Sequence, residues 1–361
     1  MTSSAGSAAD GTADYVAYGT THLGQQAVLQ LVNPSAYRTI RRAVREFRPE
    51  AVHLNTFLPH LSPSVLPPLK DVPTLMVVHD YKAICPRSTK LLPDGSPCSD
   101  PAGRKCREHG CVGAVRRLRE GPRYASFRRG IRSLSGCATI SRWMQGQLAV
   151  NGIEAEVVDP PVPGPSATFV RRPSADPLFL YAGRLAPVKG LDVLLDAFTE
   201  VRRSIPGARL RIVGDGPLRD QVLRRTGELG LEASVDFNLD MARDWHSELE
   251  RVWAAVVPSV YREPLGLVAV EAIAHGVPVI ASGEGGLVEA VEPGKTGILV
   301  PTGDRTALAD AMVAIARGRS FPSQAVDASA REAIRRRYDP DRHVSRTRSI
   351  LDRARQESVP T

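Results

Sequence analysis

The sequence has no uninterrupted apolar run of eighteen residues, so hydropathy predicts no membrane-spanning helix. Its first residues, MTSSAGSAADGTADY, lack the basic-then-apolar order of a secretion signal. A cytoplasmic protein is expected, at most peripheral at the inner face of a membrane. Cysteine is scarce: five in 361 residues, with no CxxC pair. In a cytosolic chain these argue against a disulfide framework. Aromatic residues make up only 5% and do not interleave with the basic ones at a stacking rhythm. With no recognisable binding motif either, nucleic acid is not an expected partner. What remains is ordinary: 42% apolar and 24% charged residues, a length sufficient for two domains, and a net charge of +8.

The most informative stretch runs from Val257 to Val300. An apolar strand over Ala254–Val257 stops at Pro258, and a loop with Tyr261, Arg262 and Glu263 follows. Pro264-Leu265-Gly266 is expected to open a helix, proline fitting a first turn, with Val268, Ala269, Ala272 and Ile273 as its apolar stripe. Gly276 and Pro278 end it, and a strand over Val277–Ala281 leads to the glycines Gly283, Gly285 and Gly286. In an open α/β sheet, ligands bind outside the carboxyl ends of the strands. A helix started by glycine at such an end offers free N–H groups to an anion. Glu263 stands beside that helix start, and Glu271 follows eight residues later, surrounded by apolar neighbours.

Pro258-Ser259, Glu263-Pro264-Leu265-Gly266-Leu267, Glu271-Ala272, Gly276-Val277-Pro278-Val279, Gly285-Gly286 and Thr296-Gly297 follow one another in order. Together they resemble the donor-site signature of retaining family 4 glycosyltransferases, the glycosyl transferases group 1. The resemblance implies the GT-B fold, an α/β architecture of two Rossmann-like domains facing across a cleft. It is dense from Leu178 to Asp304 and thin before Thr74.

Read on that basis, residues 1–12 are expected to be disordered and residues 13–160 to form an acceptor-side domain, shortened at its N-terminus relative to the family. Residues 161–176, led by the proline-rich Pro160–Pro165, would be a linker. Residues 177–335 would form the nucleotide-sugar domain. Residues 336–361 would supply a terminal helix packing back on the first domain through Val344, Thr347, Leu351 and Ala354.

In the first domain, the strand Thr74–Val78 ends at His79-Asp80-Tyr81. A histidine there can be functional or can simply cap the strand. The resemblance makes His79 similar to the family's acceptor-domain histidine, which contacts the transferred sugar. Cys85, Cys98, Cys106 and Cys111 follow in an insert over residues 85–111, with His109 among them. Four N/S ligands can build a tetrahedral zinc site, so a structural zinc is a candidate and ordinary thiols are the alternative. Cys137 is expected in the core. From Arg104 to Arg132 ten basic residues stand against Glu108 and Glu120, an excess equal to the whole net charge of +8. Either this is a solvated face or it attaches the protein to an anionic membrane surface.

In the second domain the strand Leu178–Ala182 ends in Gly183-Arg184, and Lys189-Gly190 precedes a helix. Arg184 and Lys189 can converge on one anion, as a fork and a point charge. GRLAPVKGLDVLLDAF resembles the family's diphosphate-binding segment. Gly214-Asp215-Gly216-Pro217 follows the next strand, and Val235–Leu239 lacks the glycine the family usually has near the nucleobase.

The resemblance implies a retaining hexosyltransferase-type enzyme of polysaccharide biosynthesis. It would move a sugar from a UDP- or GDP-sugar to a glycan or lipid-linked acceptor without a cofactor. His79, Arg184, Lys189 and Glu263 would be catalytic; Gly183, Gly214, Pro264, Leu265, Gly266, Leu267 and Glu271 would bind the donor. A GT-B phosphorylase or sugar-nucleotide epimerase keeps the fold, and nothing in the sequence suggests pyridoxal phosphate. The reading of another class is a non-catalytic subunit that binds nucleotide sugar or lipid for a partner enzyme.

Overall fold

The computed structural model describes residues 2–3, 15–18, 22, 25, 28–55, 57, 61–239 and 245–357. Two compact units divide the chain: residues 1–159 with 344–361, and residues 160–343.

The first unit holds two sheets. The short strands β1 (Thr2–Ser3) and β2 (Val16–Ala17) pair in parallel. Of the stretch expected to be disordered, only these first two residues fall among those described, and main-chain pairing orders them. The larger sheet is wholly parallel, in the order β3 (Val52–Asn55), β4 (Thr74–Val78), β5 (Gly136–Thr139), β6 (Glu156–Val157). Every residue of β4 is buried, as a strand covered on both faces must be. The terminal helix Pro340–Glu357 contributes Ile350 to a core with Leu75, Val77, Ala138 and Val158, and Leu351 packs against it. Ala354 is buried too, whereas Val344 is 57% exposed and does not belong to the packing face.

The second unit is a six-stranded parallel sheet, with β7 (Leu178–Ala182), β8 (Arg209–Val213), β9 (Val235–Asn238), β10 (Ala254–Val257), β11 (Val279–Ser282) and β12 (Gly297–Val300). Their order is β12-β11-β10-β7-β8-β9. Chain progression therefore reverses direction between β7 and β10, and the loops leaving those two strands flank a topological switch point. Phe179, Phe198, Leu194, Ile212, Ile280 and Met312 anchor the core. Each buried aliphatic or aromatic side chain of this kind contributes about 1.5–3 kcal/mol.

Residues 161–176 are not a free linker. Val162 N–H donates to the Tyr338 carbonyl, and Arg172 and Ser174 donate to the carbonyls of Glu250 and Arg251. The Arg171 guanidinium holds three more carbonyls, those of Leu249, Val252 and Gln324. A chain whose backbone polar groups are satisfied this way is part of its unit.

Candidate functional site

The loops after β7 and β10 meet directly. Gly190 has φ 70°, and a Cβ there would stand 1.9 Å from the Pro258 carbonyl oxygen. Val260 N–H donates to the Val188 carbonyl at 2.9 Å. Only glycine meets both demands at position 190, a left-handed backbone and contact with the facing main chain. That approach brings Lys189 to Glu263: its Nζ donates to Glu263 Oε1 at 2.7 Å, and the Ser259 hydroxyl donates to the same oxygen. Glu263 is 6% exposed, so its charge depends on these two donors. Its main chain is fixed as well, by a bridge to Gly285 and by Gly286 N–H donating to its carbonyl at 2.7 Å. The Lys189 ammonium also lies 5.4 Å from the centroid of the Tyr261 ring.

After β7, the Tyr181 hydroxyl donates to the Arg184 carbonyl at 2.9 Å and pins the turn. Burial pushes this phenol up, and the charge of Glu263 adds to the effect. The Arg184 side chain itself is exposed and makes no hydrogen bond or ion pair with the described residues. Gly183 and Gly214 follow β7 and β8, donating to the carbonyls of Val213 and Asn238.

The helix beyond Glu263 runs Leu267–Ala274 and begins later than the sequence suggests. Pro264 is not in its first turn, because Glu263 and Pro264 are held against Gly285 and Gly286. Gly266, at φ 87°, is the N-cap. The opening N–H groups have no carbonyl behind them, and Leu267 is 41% exposed. Ala269, Val270, Ala272, Ile273 and Ala274 are all buried, so the helix is enclosed nearly all round rather than on one stripe. Glu271 is half-buried on it. Burial holds its carboxyl above the usual range, and His246 opposes that, its Nε2 being 3.8 Å from Oε2. His246 belongs to a chain of four rings: Trp245 stacks on His246, His246 on His275, and Phe169 meets His275 edge-on. Neither histidine is legible as a site residue from sequence, since nothing local signals that they meet 25 residues or less from Glu271 in this stack.

In the first unit, His79 leaves the carboxyl end of β4 and is exposed. Its Nε2 donates to Asn55 Oδ1, at the end of the neighbouring β3, at 3.0 Å. Asp80 turns inward to cap the next turn through Lys82 N–H. Fully buried Tyr81 accepts from the indole of Trp143 at 2.6 Å. Asn55 is a second residue that the sequence reading passed over.

The cysteine insert does not assemble as expected. Burial pushes the Cys106 and Cys111 thiols up, with smaller contributions from Cys85 and Cys98, so the four share one neighbourhood. Among the described residues, however, no three His, Cys, Asp or Glu side chains are grouped to hold a metal ion. His109 is engaged elsewhere, at 2.6 Å from Asp100. The zinc expectation therefore has no three-ligand group among the described residues. Cys137, expected in the core, is only partly buried in β5, and that burial pushes its thiol up to about 12.

The basic segment Arg104–Arg132 is not one solvated face either. Arg104 and Lys105 both bind Glu108, Arg123 is buried against Glu120 at 3.0 Å, and Arg128 donates to the Ala102 carbonyl. The described side chains that stay exposed without a partner are Arg107, Arg129 and Arg132; those of Arg116, Arg117 and Arg119 lie outside the description. The helix Pro34–Phe47, in contrast, carries Arg38, Arg41 and Arg45 at helical spacing with Arg48 at its C-cap. All four are exposed and without an ion pair among the described residues.

Two parallel Rossmann-like units, with a cationic and carboxylate cluster at the switch point of the second, define the GT-B architecture. Residues 168–332 match the family described as Glycosyl transferases group 1, and residues 10–161 match a Glycosyl transferase 4-like domain. Residues 168–332 are thus a group 1 glycosyltransferase domain and residues 10–161 a glycosyltransferase 4-like one. It is 40% identical over 149 residues to a glycogen synthase of Mycobacterium tuberculosis, covering 39% of this chain and 34% of that one. It is 37% identical over 169 residues to the GDP-mannose-dependent alpha-(1-6)-phosphatidylinositol monomannoside mannosyltransferase of the same species, covering 44% and 43%. These matches span less than half of either relative's length. Among solved structures, sucrose-phosphate synthase from Thermosynechococcus elongatus superposes with a TM-score of 0.66 at 23% identity, over 89% of this chain and 77% of that one. Anabaena HepE, solved with UDP and glucose, gives 0.64 at 18% identity, over 93% and 86%. At such identities the likeness is one of fold.

Proposed function

We propose that the chain transfers a hexose from a nucleotide-sugar donor to a glycan or lipid-linked acceptor, with retention of configuration. The observation that carries this reading is the switch-point cluster: exposed Arg184, the Lys189–Glu263–Ser259 group and the open helix start at Gly266-Leu267.

The demanding step is departure of a nucleoside diphosphate while the sugar carbon becomes cationic. Arg184, Lys189 and the first helical N–H groups offset the developing diphosphate charge from fixed positions, so this reading takes no cofactor. An ammonium has three donors, so Lys189 can keep its bond to Glu263 and still reach a phosphate. Glu263 accepts from sugar hydroxyls, Glu271 from ribose hydroxyls, and Gly183, Gly214, Pro264 and Leu265 shape the backbone around the donor. His79, at the carboxyl end of β4, is the further catalytic candidate. In a front-face route, the anomeric bond to phosphate breaks and the acceptor oxygen bonds on the same face. The acceptor proton passes to the departing phosphate oxygen.

No described helix is long and apolar enough to cross a membrane. A lipid-linked acceptor would bring the protein to an anionic surface, and the exposed arginines of the Pro34–Phe47 helix suit one.

The test is a panel of UDP-, GDP- and ADP-sugars with wild type, Lys189→Ala and Glu263→Ala. Release of a single nucleoside diphosphate, lost in both variants, is the expected result. Tight donor binding without turnover, even with membrane lipid extract present, would replace this reading with the non-catalytic subunit.

A further inference from the structure

Glu271 sits in an unusual setting for a group that must accept hydrogen bonds. It is half-buried on a helix enclosed by apolar residues, which favours the neutral acid over the carboxylate. A neutral acid is a poor partner for a ribose diol, because its remaining proton competes with the hydroxyl donors. Among the described residues, one side chain is placed as its ion-pair partner. His246 Nε2 lies 3.8 Å from Glu271 Oε2.

The rings fix which imidazole is placed for that role. His275 is 3% exposed, and its Nδ1–H donates to the Glu271 carbonyl at 2.7 Å, which sets its tautomer. Charging so enclosed a ring is costly, and doubly so with a second imidazolium stacked 5.1 Å away. His246, whose Nε2 faces Glu271, is therefore the ring placed to pair with the carboxylate. Trp245 at 4.5 Å on one side and His275 on the other keep it in place.

The other charged groups around this helix are committed elsewhere. Arg331, from the packed helix Ala328–Arg337, donates to the Ala274 carbonyl at 3.0 Å. Glu332 pairs with Arg335 and Arg336, Glu289 with Arg337, and Glu248 with Arg211. Arg171 is held by its three carbonyls.

We propose that His246 is a positioning residue: clamped between Trp245 and His275, its imidazolium keeps Glu271 a carboxylate and so keeps the ribose subsite open in mildly acidic conditions. This rests on the assignment of Glu271 to ribose made above. The sign follows from removing a cation. Without it, Glu271 takes up a proton at higher pH, and nucleotide binding fails earlier as pH falls. At alkaline pH Glu271 is a carboxylate with or without His246, and removing the ring changes little.

Two measurements on the full chain test this separately. The first needs no ligand: the Glu271 side-chain carboxyl carbon is followed by NMR against pH in wild type, His246→Phe and His246→Gln. The phenyl ring preserves the stack and the amide preserves polarity. In both variants the Glu271 transition is expected to move up by about one pH unit. An unmoved transition overturns the proposal.

The second follows UDP and GDP affinity by calorimetry from pH 5 to pH 8.5. The acid limb of the variants is expected to shift upward, with up to about tenfold weaker binding near pH 5.5 and wild-type affinity at pH 8.5. Equal weakening at every pH would show a packing role alone and overturn the proposal. If the NMR transition moves but wild type binds no nucleotide at any pH, the pairing stands and the ribose assignment falls.

Discussion

The carboxyl ends of the two sheets present their polar groups in opposite ways. In the second unit, Glu263 is buried, bound by Lys189 and Ser259, and its backbone is tied to Gly285 and Gly286. In the first, His79 is exposed at the strand end and bonds the Asn55 side chain. A buried ionic cluster tolerates few alternatives, since each unpaired member would cost several kcal/mol. An exposed histidine at a strand end is held by little and can serve many neighbours. The difference teaches where the polar groups are fixed in advance: at the switch point of the second unit, while the strand end of the first is left exposed.

The widest gap between the two units is in backbone tolerance. Gly190 in the second unit and Gly110 in the first have nearly the same φ, 70° and 68°. A Cβ at Gly190 meets the Pro258 carbonyl at 1.9 Å, whereas at Gly110 the nearest atom is 4.0 Å away. Gly190→Ala is therefore expected to cost about 3 kcal/mol or more, by overpacking and left-handed strain together. Gly110→Ala should cost about 1 kcal/mol, from strain alone. Urea denaturation of the two variants measures both, and equal losses would break the comparison.

The same contrast governs what sequence could show. The order Glu263-Pro264-Leu265-Gly266, Glu271, Gly285-Gly286 is legible because each residue answers a local demand: a strand end, a helix cap, a close backbone approach. The helix start was placed too early because nothing local reveals that Gly286 presses on Pro264 from 22 residues away. Tertiary pairing likewise hid the roles of Arg171, which turns an expected linker into part of the second unit, and of the Glu120–Arg123 pair, which removes one arginine from a supposed basic face. His246 and His275 are invisible for the same reason. Their meeting with Glu271 is a property of the fold, not of any spacing.

A smaller effect separates His79 from its support. His79→Ala is expected to lower kcat about 100-fold, as for loss of one preorganised donor. Asn55→Ala should lower it about tenfold, through lost orientation only. Nucleotide affinity should be unchanged in both, because the donor cluster belongs to the second unit. Calorimetry with UDP and GDP beside the steady-state rates checks this. A fall in affinity matching the fall in kcat would mean that the two sheet ends are not divided in labour as described.

The smallest expected effect concerns surface charge, where the two basic regions of the first unit compete. Arg38, Arg41, Arg45 and Arg48 form one exposed stripe on and just after the Pro34–Phe47 helix, and Phe47 beside them is 76% exposed. The Arg104–Arg132 segment spends Arg104, Lys105, Arg123 and Arg128 on internal partners. Each basic residue near an anionic bilayer contributes about 1 kcal/mol, so replacing Arg41 and Arg45 with glutamine should weaken binding to phosphatidylserine vesicles about 30-fold. The pair Arg129→Gln and Arg132→Gln should weaken it less, since among the described side chains of that segment only Arg107 is left exposed and unpaired besides them. Vesicle co-sedimentation at two salt concentrations measures both pairs, and the larger loss should also be the more salt-sensitive one. If the second pair matters more, the membrane-facing charge lies in the Arg104–Arg132 segment despite its internal ion pairs.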